Sequence, residues 1–137
     1  MAQLRPWVGL VPTAWRPVVA EILRDAVGGG QTAAARRLIT QSPAVLLCRD
    51  DQPLAAAVGH ESGRGFTVEA IAVARTARGS GHGRQLLDEV ARLGGHQWIE
   101  AETDATSVGF YRACGFSITS LGEVYPGVER FACRRVT

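Results

Sequence analysis

Residues 78 to 83 read Arg-Gly-Ser-Gly-His-Gly, and directly afterwards Leu86, Leu87, Val90 and Leu93 fall at helical spacing. Glycine costs about 1 kcal/mol against alanine inside a helix. A helix that follows Gly79, Gly81 and Gly83 therefore begins where a bare backbone serves some purpose. The apolar run "FTVEAIAV" at 66–73 feeds this segment. A strand entering a glycine loop and leaving as an amphipathic helix needs both element types packed in layers.

The rest of the chain fits that requirement. Residues 4–10 can form a short first strand or an extended lead-in, and from Thr13 to Ala26 the spacing of Trp15, Val18, Val19, Ile22 and Leu23 is helical. Three glycines at 28–30 end that helix, and a second runs from Thr32 to Ile39. Then come apolar runs at 44–49, 54–61 and 66–73 separated by turn residues, which predict an antiparallel meander with its central strand covered on both faces. After the glycine-led helix to about Leu93, residues 97–102 alternate as a strand. Asp104 can cap a helix running to Cys114, 116–121 is a strand, 122–127 a loop and 128–136 a last strand. The pattern predicts one α+β domain over 1–137, with a mixed, mostly antiparallel sheet of six to seven strands and about four helices.

Composition narrows the function. A net charge of +2 is too small to indicate nucleic acid or a polybasic membrane signal. Cys48, Cys114 and Cys133 are odd in number and lack C-x-x-C pairing, so neither a disulfide framework nor a metal site is expected. Arg5, Pro6, Pro12 and Arg16 interrupt any apolar leader, and no apolar run approaches the length of a membrane span. These features point to the cytoplasm.

The glycine segment suits an anion. The first turn of a helix leaves N–H groups without partners, and its dipole places about half a positive charge there. Glycines let a phosphate oxygen approach them, and Arg78 and Arg84 flank the loop. A P-loop is excluded, because the chain has no lysine. A dinucleotide fingerprint needs a third glycine where Arg84 stands. Glu100, about twenty residues on, keeps that reading open, although the antiparallel meander argues against it.

Arg78-Gly79-Ser80-Gly81-His82-Gly83 matches R/Q-x-x-G-x-G/A, and "TSVGFYRACGF" at 106–116 matches F-Y-x-x-x-G-F at the right distance. Together, in this order, the two segments resemble the GNAT superfamily of acetyl-CoA-dependent N-acetyltransferases. The resemblance is strong from 66 to 121 and weak before 40. It implies that loop N–H groups at Gly79, Gly81, Gly83 and Arg84, with Arg78 at the entrance, hold the pyrophosphate of acetyl-CoA. It also implies that the pantetheine arm bonds to the strand backbone around Ile71 and Val73, where a bulge aims an N–H at the thioester carbonyl. By the same match Tyr111 is the candidate acid for the leaving thiolate, and no metal takes part.

An amine with a pKa near 10 is about a thousandfold protonated at neutral pH, which costs about 4 kcal/mol to reverse. A base or a water path is therefore needed. Glu69 alternates with Thr67, Ile71 and Val73 and is the candidate base, with Glu61, His60 and Glu123 behind it. Cys114 reads as a small buried residue, not a nucleophile. The resemblance places the acceptor between 13–40 and the segment 122–130, where Glu123, Tyr125 and Glu129 suit a cationic amine, and Trp15 is either a contributor or core. A small-molecule amine leads. A peptide or protein amine, or a non-catalytic acyl-CoA-binding module, is the alternative. Neither nucleic acid nor membrane is expected as partner, and the family admits a homodimer that no patch here specifies.

Overall fold

The computed structural model describes residues 4–26 and 32–137. Seven strands form one sheet: β1 (Arg5–Gly9), β2 (Ala44–Arg49), β3 (Gln52–Ser62), β4 (Gly65–Val73), β5 (Trp98–Asp104), β6 (Ser117–Tyr125) and β7 (Val128–Val136). Their order is β1-β2-β3-β4-β5-β7-β6, and only β4 and β5 run parallel. Four helices flank it: α1 (Arg16–Leu23), α2 (Thr32–Gln41), α3 (His82–Arg92) and α4 (Val108–Ala113). The fold is the α+β architecture that the periodicity predicts. The glycines at 28–30 lie outside the described residues.

Strand alternation sorts the core onto two faces. Ala44, Leu46 and Cys48 of β2 pack with Val19, Ala20 and Leu23 of α1 and Ala35 and Ile39 of α2. Val45 and Leu47 point the other way, to Leu86, Leu87 and Val90 of α3 and to Tyr111 of α4. β2 is therefore buried without a break from Ala44 to Cys48, as a strand covered on two sides requires. Burying Leu86, Leu87 and Val90 is worth about 1.5–3 kcal/mol each, which outweighs the roughly 1 kcal/mol penalty of Gly83 inside the helix. Leu93, expected in that stripe, is 39% exposed, because α3 ends at Arg92.

The meander is regular up to β4. There Val58 pairs with Ala70 and Gly59 with Val68, so Glu69 is an extra, unpaired residue: a β-bulge. Gly59 permits it. A β-carbon at position 59 would lie 2.0 Å from the Thr67 carbonyl oxygen. The bulge also switches faces, for Val68 belongs to the α3 side and Ala70 to the α1 side. Ile71 and Val73 then pack on the α3 side. Glu69 thus does not share one alternating face with Thr67, Ile71 and Val73, and that expectation is corrected.

Bulged strands bend. β4 pairs with β5 only through Gly65–Thr67 against Trp98–Glu100, while β5 continues to Asp104 along β7. The two strands separate beyond this point. Thr67 donates to Glu100 Oε1 (3.2 Å) and Arg134 to Glu100 Oε2 (3.0 Å), closing the apex of the splay.

Two boundaries differ from expectation. Asp104 ends β5, and its carboxylate accepts from the Ser107 N–H at 3.0 Å, so it holds the turn before α4 and does not cap a longer helix. Residues 122–125 are not a loop. They extend β6, with register shifts at Ser120/Gly122 and Glu123/Tyr125, and pair with β7.

A Gly59→Ala variant should lose about 3 kcal/mol, at the upper end of overpacking costs, because the clashing atom is backbone and cannot rotate away. Urea denaturation checks this, and a loss below 0.5 kcal/mol, at the scale of ordinary surface substitutions (about 0.5 kcal/mol), would contradict the account.

Candidate functional site

The splay between β4 and β5 opens a cleft of about 1050 Å³. Glu69 to Val73 form one wall, Glu102 to Asp104 another, and Phe110 and Tyr111 of α4 a third. Arg78 and Gly83, at the start of α3, stand at one end of β4, and α1 and α2 contribute Ile22, Arg37 and Leu38.

The α3 start has the form the glycine spacing suggests. Gly79 and Gly81 have φ of +83° and +80°, in the left-handed region that side chains resist. Gly81 is the N-cap and its carbonyl accepts from the Gln85 N–H at 3.0 Å. The N–H groups of His82, Gly83 and Arg84 therefore precede the first intrahelical bond. Gly83 is needed for a second reason. A β-carbon there would meet the Phe110 ring at 2.9 Å, so this glycine lets α4 close on α3.

The two arginines part company. Arg78 Nε donates to the Val73 carbonyl at 3.0 Å, which holds it at the cleft end of β4. Arg84 turns away and donates to the Ala113 carbonyl at 3.4 Å, where it meets the C-terminus of α4. Its side chain serves α4, and only its backbone N–H remains with the loop. Arg135 supports the same helix end through Cys114 O (3.4 Å) and Asp88 (2.9 Å).

The edge of β4 is open beside the cleft. The Ala74 N–H donates to Leu54 of β3 at 2.8 Å. Strand alternation then points the peptide groups of Ile71 and Val73 away from β3, towards the splay. The Arg78 bond to Val73 O agrees with this direction. Ile71 and Val73 are thus brought to the cleft by backbone as well as by sequence position.

Glu69 and His60 meet across the bulge. Glu69 Oε1 lies 2.7 Å from His60 Nδ1, and both side chains are partly exposed, at 35% and 48%. Nine positions separate them along the chain, and nothing in that spacing pairs them. Their pairing depends on the register shift, which no periodicity reveals.

Tyr111 is 6% exposed, with its ring edge-on to Phe110 and Phe116 at 5.2 and 5.3 Å. Burial, reinforced by the nearby Cys133 and Cys114, pushes its hydroxyl up to about 12. Cys114 is also buried, and burial pushes its thiol up against the pull of Arg84. An activated nucleophile requires the reverse. The reading of Cys114 as a core residue stands.

The residues expected on the acceptor side are not all brought to the cleft. Trp15 packs edge-on against Trp7 at 5.7 Å, is partly buried against the α1-side core and does not line the cleft. Arg130 lines the cleft, whereas Glu123, Tyr125 and Glu129 do not. They lie on the extended β6–β7 hairpin. Glu102 and Asp104 line the cleft without any sequence signal for it, since alternation in β5 shows only which residues avoid the core.

Among the described residues no group of His, Cys, Asp or Glu is placed to hold a metal ion, and no helix is long and apolar enough to cross a membrane.

Comparison with known proteins agrees with this arrangement. A GNAT-family protein from Desulfovibrio desulfuricans superposes with a TM-score of 0.83 at 23% identity, over 98% of this chain and 99% of that one. A GNAT family acetyltransferase from Elizabethkingia anophelis with acetyl-CoA bound gives 0.71 at 18% identity, over 99% and 98%. The ribosomal-protein-S18-alanine N-acetyltransferase from Escherichia coli gives 0.71 at 18%, over 96% and 94%. No curated protein matches the chain. The acetyltransferase (GNAT) domain family matches residues 41–118, from the end of α2 through the glycine loop and α4 into β6. That stretch is more than half of the sequence and contains the whole splay, and the chain belongs to the GNAT acetyltransferase family.

Proposed function

We propose that this chain transfers an acetyl group from acetyl-CoA directly to a primary amine of a small molecule. The observation that carries this reading is the splay itself: one cleft joins the bare start of α3 to a carboxylate-bearing wall, along an open strand edge. The residues fit an elongated anionic thioester. Unbonded N–H groups of the first α3 turn, near Arg78, suit a pyrophosphate. The Ile71 and Val73 peptides offer bonds to an extended arm. From Val73 to Glu69 the strand advances about 13 Å, at about 3.3 Å per residue.

When bound, acetyl-CoA supplies the activated acyl group, and the chain's residues do the rest. The Ile71 N–H is the donor available to a developing oxyanion. Glu69, with Glu102 and Asp104 beside the cleft, attracts an ammonium group, and Glu69 takes the proton that the amine must lose. Tyr111 remains protonated throughout the neutral range. A hydroxyl near 12 is about 3.5 units above a thiol of about 8.5, so full proton transfer would run uphill by about 5 kcal/mol. Tyr111 therefore acts by donating a hydrogen bond to the leaving sulfur. A hydrogen bond to a charged group contributes about 1.5–3 kcal/mol. The cleft volume is at the upper end of small-molecule sites, about 300–1,000 Å³, which favours a small acceptor with the thioester arm over a protein surface. A single copy of the chain supplies every residue used in this account.

Thiol release from acetyl-CoA over a panel of small primary amines should exceed hydrolysis for at least one amine. A response confined to peptide α-amines would move the acceptor class, and no response to any amine would sink the enzyme reading.

Tyr111→Phe should lower kcat by about 10–100-fold, the equivalent of one charged hydrogen bond. The same variant tests the burial argument. The folded hydroxyl titrates above its unfolded value of about 10, so its contribution is intact below pH 10 and is lost as pH rises through 12. The wild type should therefore lose about 2–3 kcal/mol more than Tyr111→Phe between those pH values in urea denaturation. Unchanged turnover would remove Tyr111 from the reaction.

A further inference from the structure

Glu69 is held from outside the cleft. It lines the cleft, whereas His60 does not. The His60 Nδ1 to Glu69 Oε1 distance of 2.7 Å is that of a charge-assisted hydrogen bond. Its geometry assigns the proton: Nδ1 must carry hydrogen, since the other neutral tautomer would set a lone pair against the carboxylate. That bond occupies one carboxylate oxygen and leaves Oε2 to face other groups.

A glutamate on a bulge has particular need of such a tether. Glu69 has no cross-strand register partner, and its side chain has three rotatable bonds. His60 is opposite Thr67 on the neighbouring strand, two positions before the bulge, and Gly59 adjoins it at the point of closest approach. The same register shift that pushes Glu69 out of the ladder therefore brings it within reach of His60. An imidazole has two rotatable bonds, and His60 sits in register opposite Thr67, so it is the stiffer member of the pair.

We propose that His60 is a positioning residue for the reaction, one that holds the Glu69 carboxylate with Oε2 turned to the acceptor amine. The inference rests on the reading of Glu69 as base. In the step concerned, the amine nitrogen forms its bond to the acetyl carbon. The acyl carbon–sulfur bond breaks, and its electron pair leaves with the thiolate, which is hydrogen-bonded by Tyr111 and takes a proton from solvent. The amine N–H proton passes to Glu69 Oε2, directly or through one water, and then to solvent. His60 keeps its Nδ1 proton and is unchanged. Its effect falls on the geometry of proton transfer and leaves substrate binding alone, which separates it from a merely structural contact.

The test is steady-state thiol release by the full chain with acetyl-CoA and an accepted amine, for Glu69→Gln, His60→Ala, His60→Asn, His60→Gln and the double variant His60→Ala/Glu69→Gln. Glu69→Gln should lower kcat about 100-fold, at the low end of general-base effects. His60→Ala should lower kcat about tenfold with both KM values within twofold. Asparagine places an amide donor near the Nδ1 position and should restore kcat to within about threefold of wild type. Glutamine places it near Nε2 and should stay as slow as alanine. The double variant should be no slower than Glu69→Gln, because His60 acts only through the carboxylate. Wild-type kcat in His60→Ala beside a slow Glu69→Gln would overturn this inference alone. So would a double variant slower by the full product of the two losses. Wild-type kcat in Glu69→Gln would overturn the base reading and the inference with it.

Discussion

The register shift at Glu69 is the constraint on which the rest of this structure depends. One residue too many on β4, accommodated because Gly59 has no side chain, bends the strand away from β5 after three paired residues. Without that bend β5 would zip onto β4, and the space between them would close. The ladder gives up its pairing with β5 over residues 68–73, worth about 0.5–1.5 kcal/mol for each hydrogen bond forgone. Each exposed peptide group is also a group left able to bind something else. The cleft and the local loss of sheet pairing are the same event.

The two helical layers make that loss tolerable. α1 and α2 cover one face and α3 and α4 the other, so β2 and β3 are buried on both sides and anchor the sheet independently of the splay. The burial of Leu86, Leu87 and Val90 lets α3 begin with glycines that would otherwise unravel its first turn. α4 is shorter, with six residues, and depends on its neighbours: Phe110 rests on Gly83, and Arg84 and Arg135 meet its terminal carbonyls. Arg84 illustrates a division of labour in one residue. Its backbone faces the loop while its side chain serves the far helix.

Much of the fold was legible because burial leaves a period in the sequence. The runs at 44–49 and 66–73 and the stripe of Leu86, Leu87 and Val90 read directly as strands and helix. Failures fell where a second element overrides local pattern. Residues 122–127 look like a loop from Gly122, Pro126 and Gly127, yet pairing with β7 makes 122–125 strand, because an edge hairpin needs no buried face. Asp104 looks like a helix cap, and its carboxylate does hold an N–H, but β7 claims its backbone for β5. Trp15 at helical spacing fits either role, and its contact with Trp7 comes from a strand that the spacing does not show.

The sequence by itself determined where the glycine loop and the helix it opens lie, since glycine spacing and the apolar stripe that follows are local properties. It determined the family for the same reason, through two short motifs that need no neighbours to be read. Only the tertiary structure decided which side chains share the cleft. Glu69 lines it with Ile71, Val73, Glu102 and Asp104, yet its side chain pairs with His60 outside the cleft and falls out of alternation with Ile71 and Val73, because a bulge resets that alternation. That reset arises between two strands, from a clash that Gly59 avoids with Thr67, and it leaves no period along either strand alone.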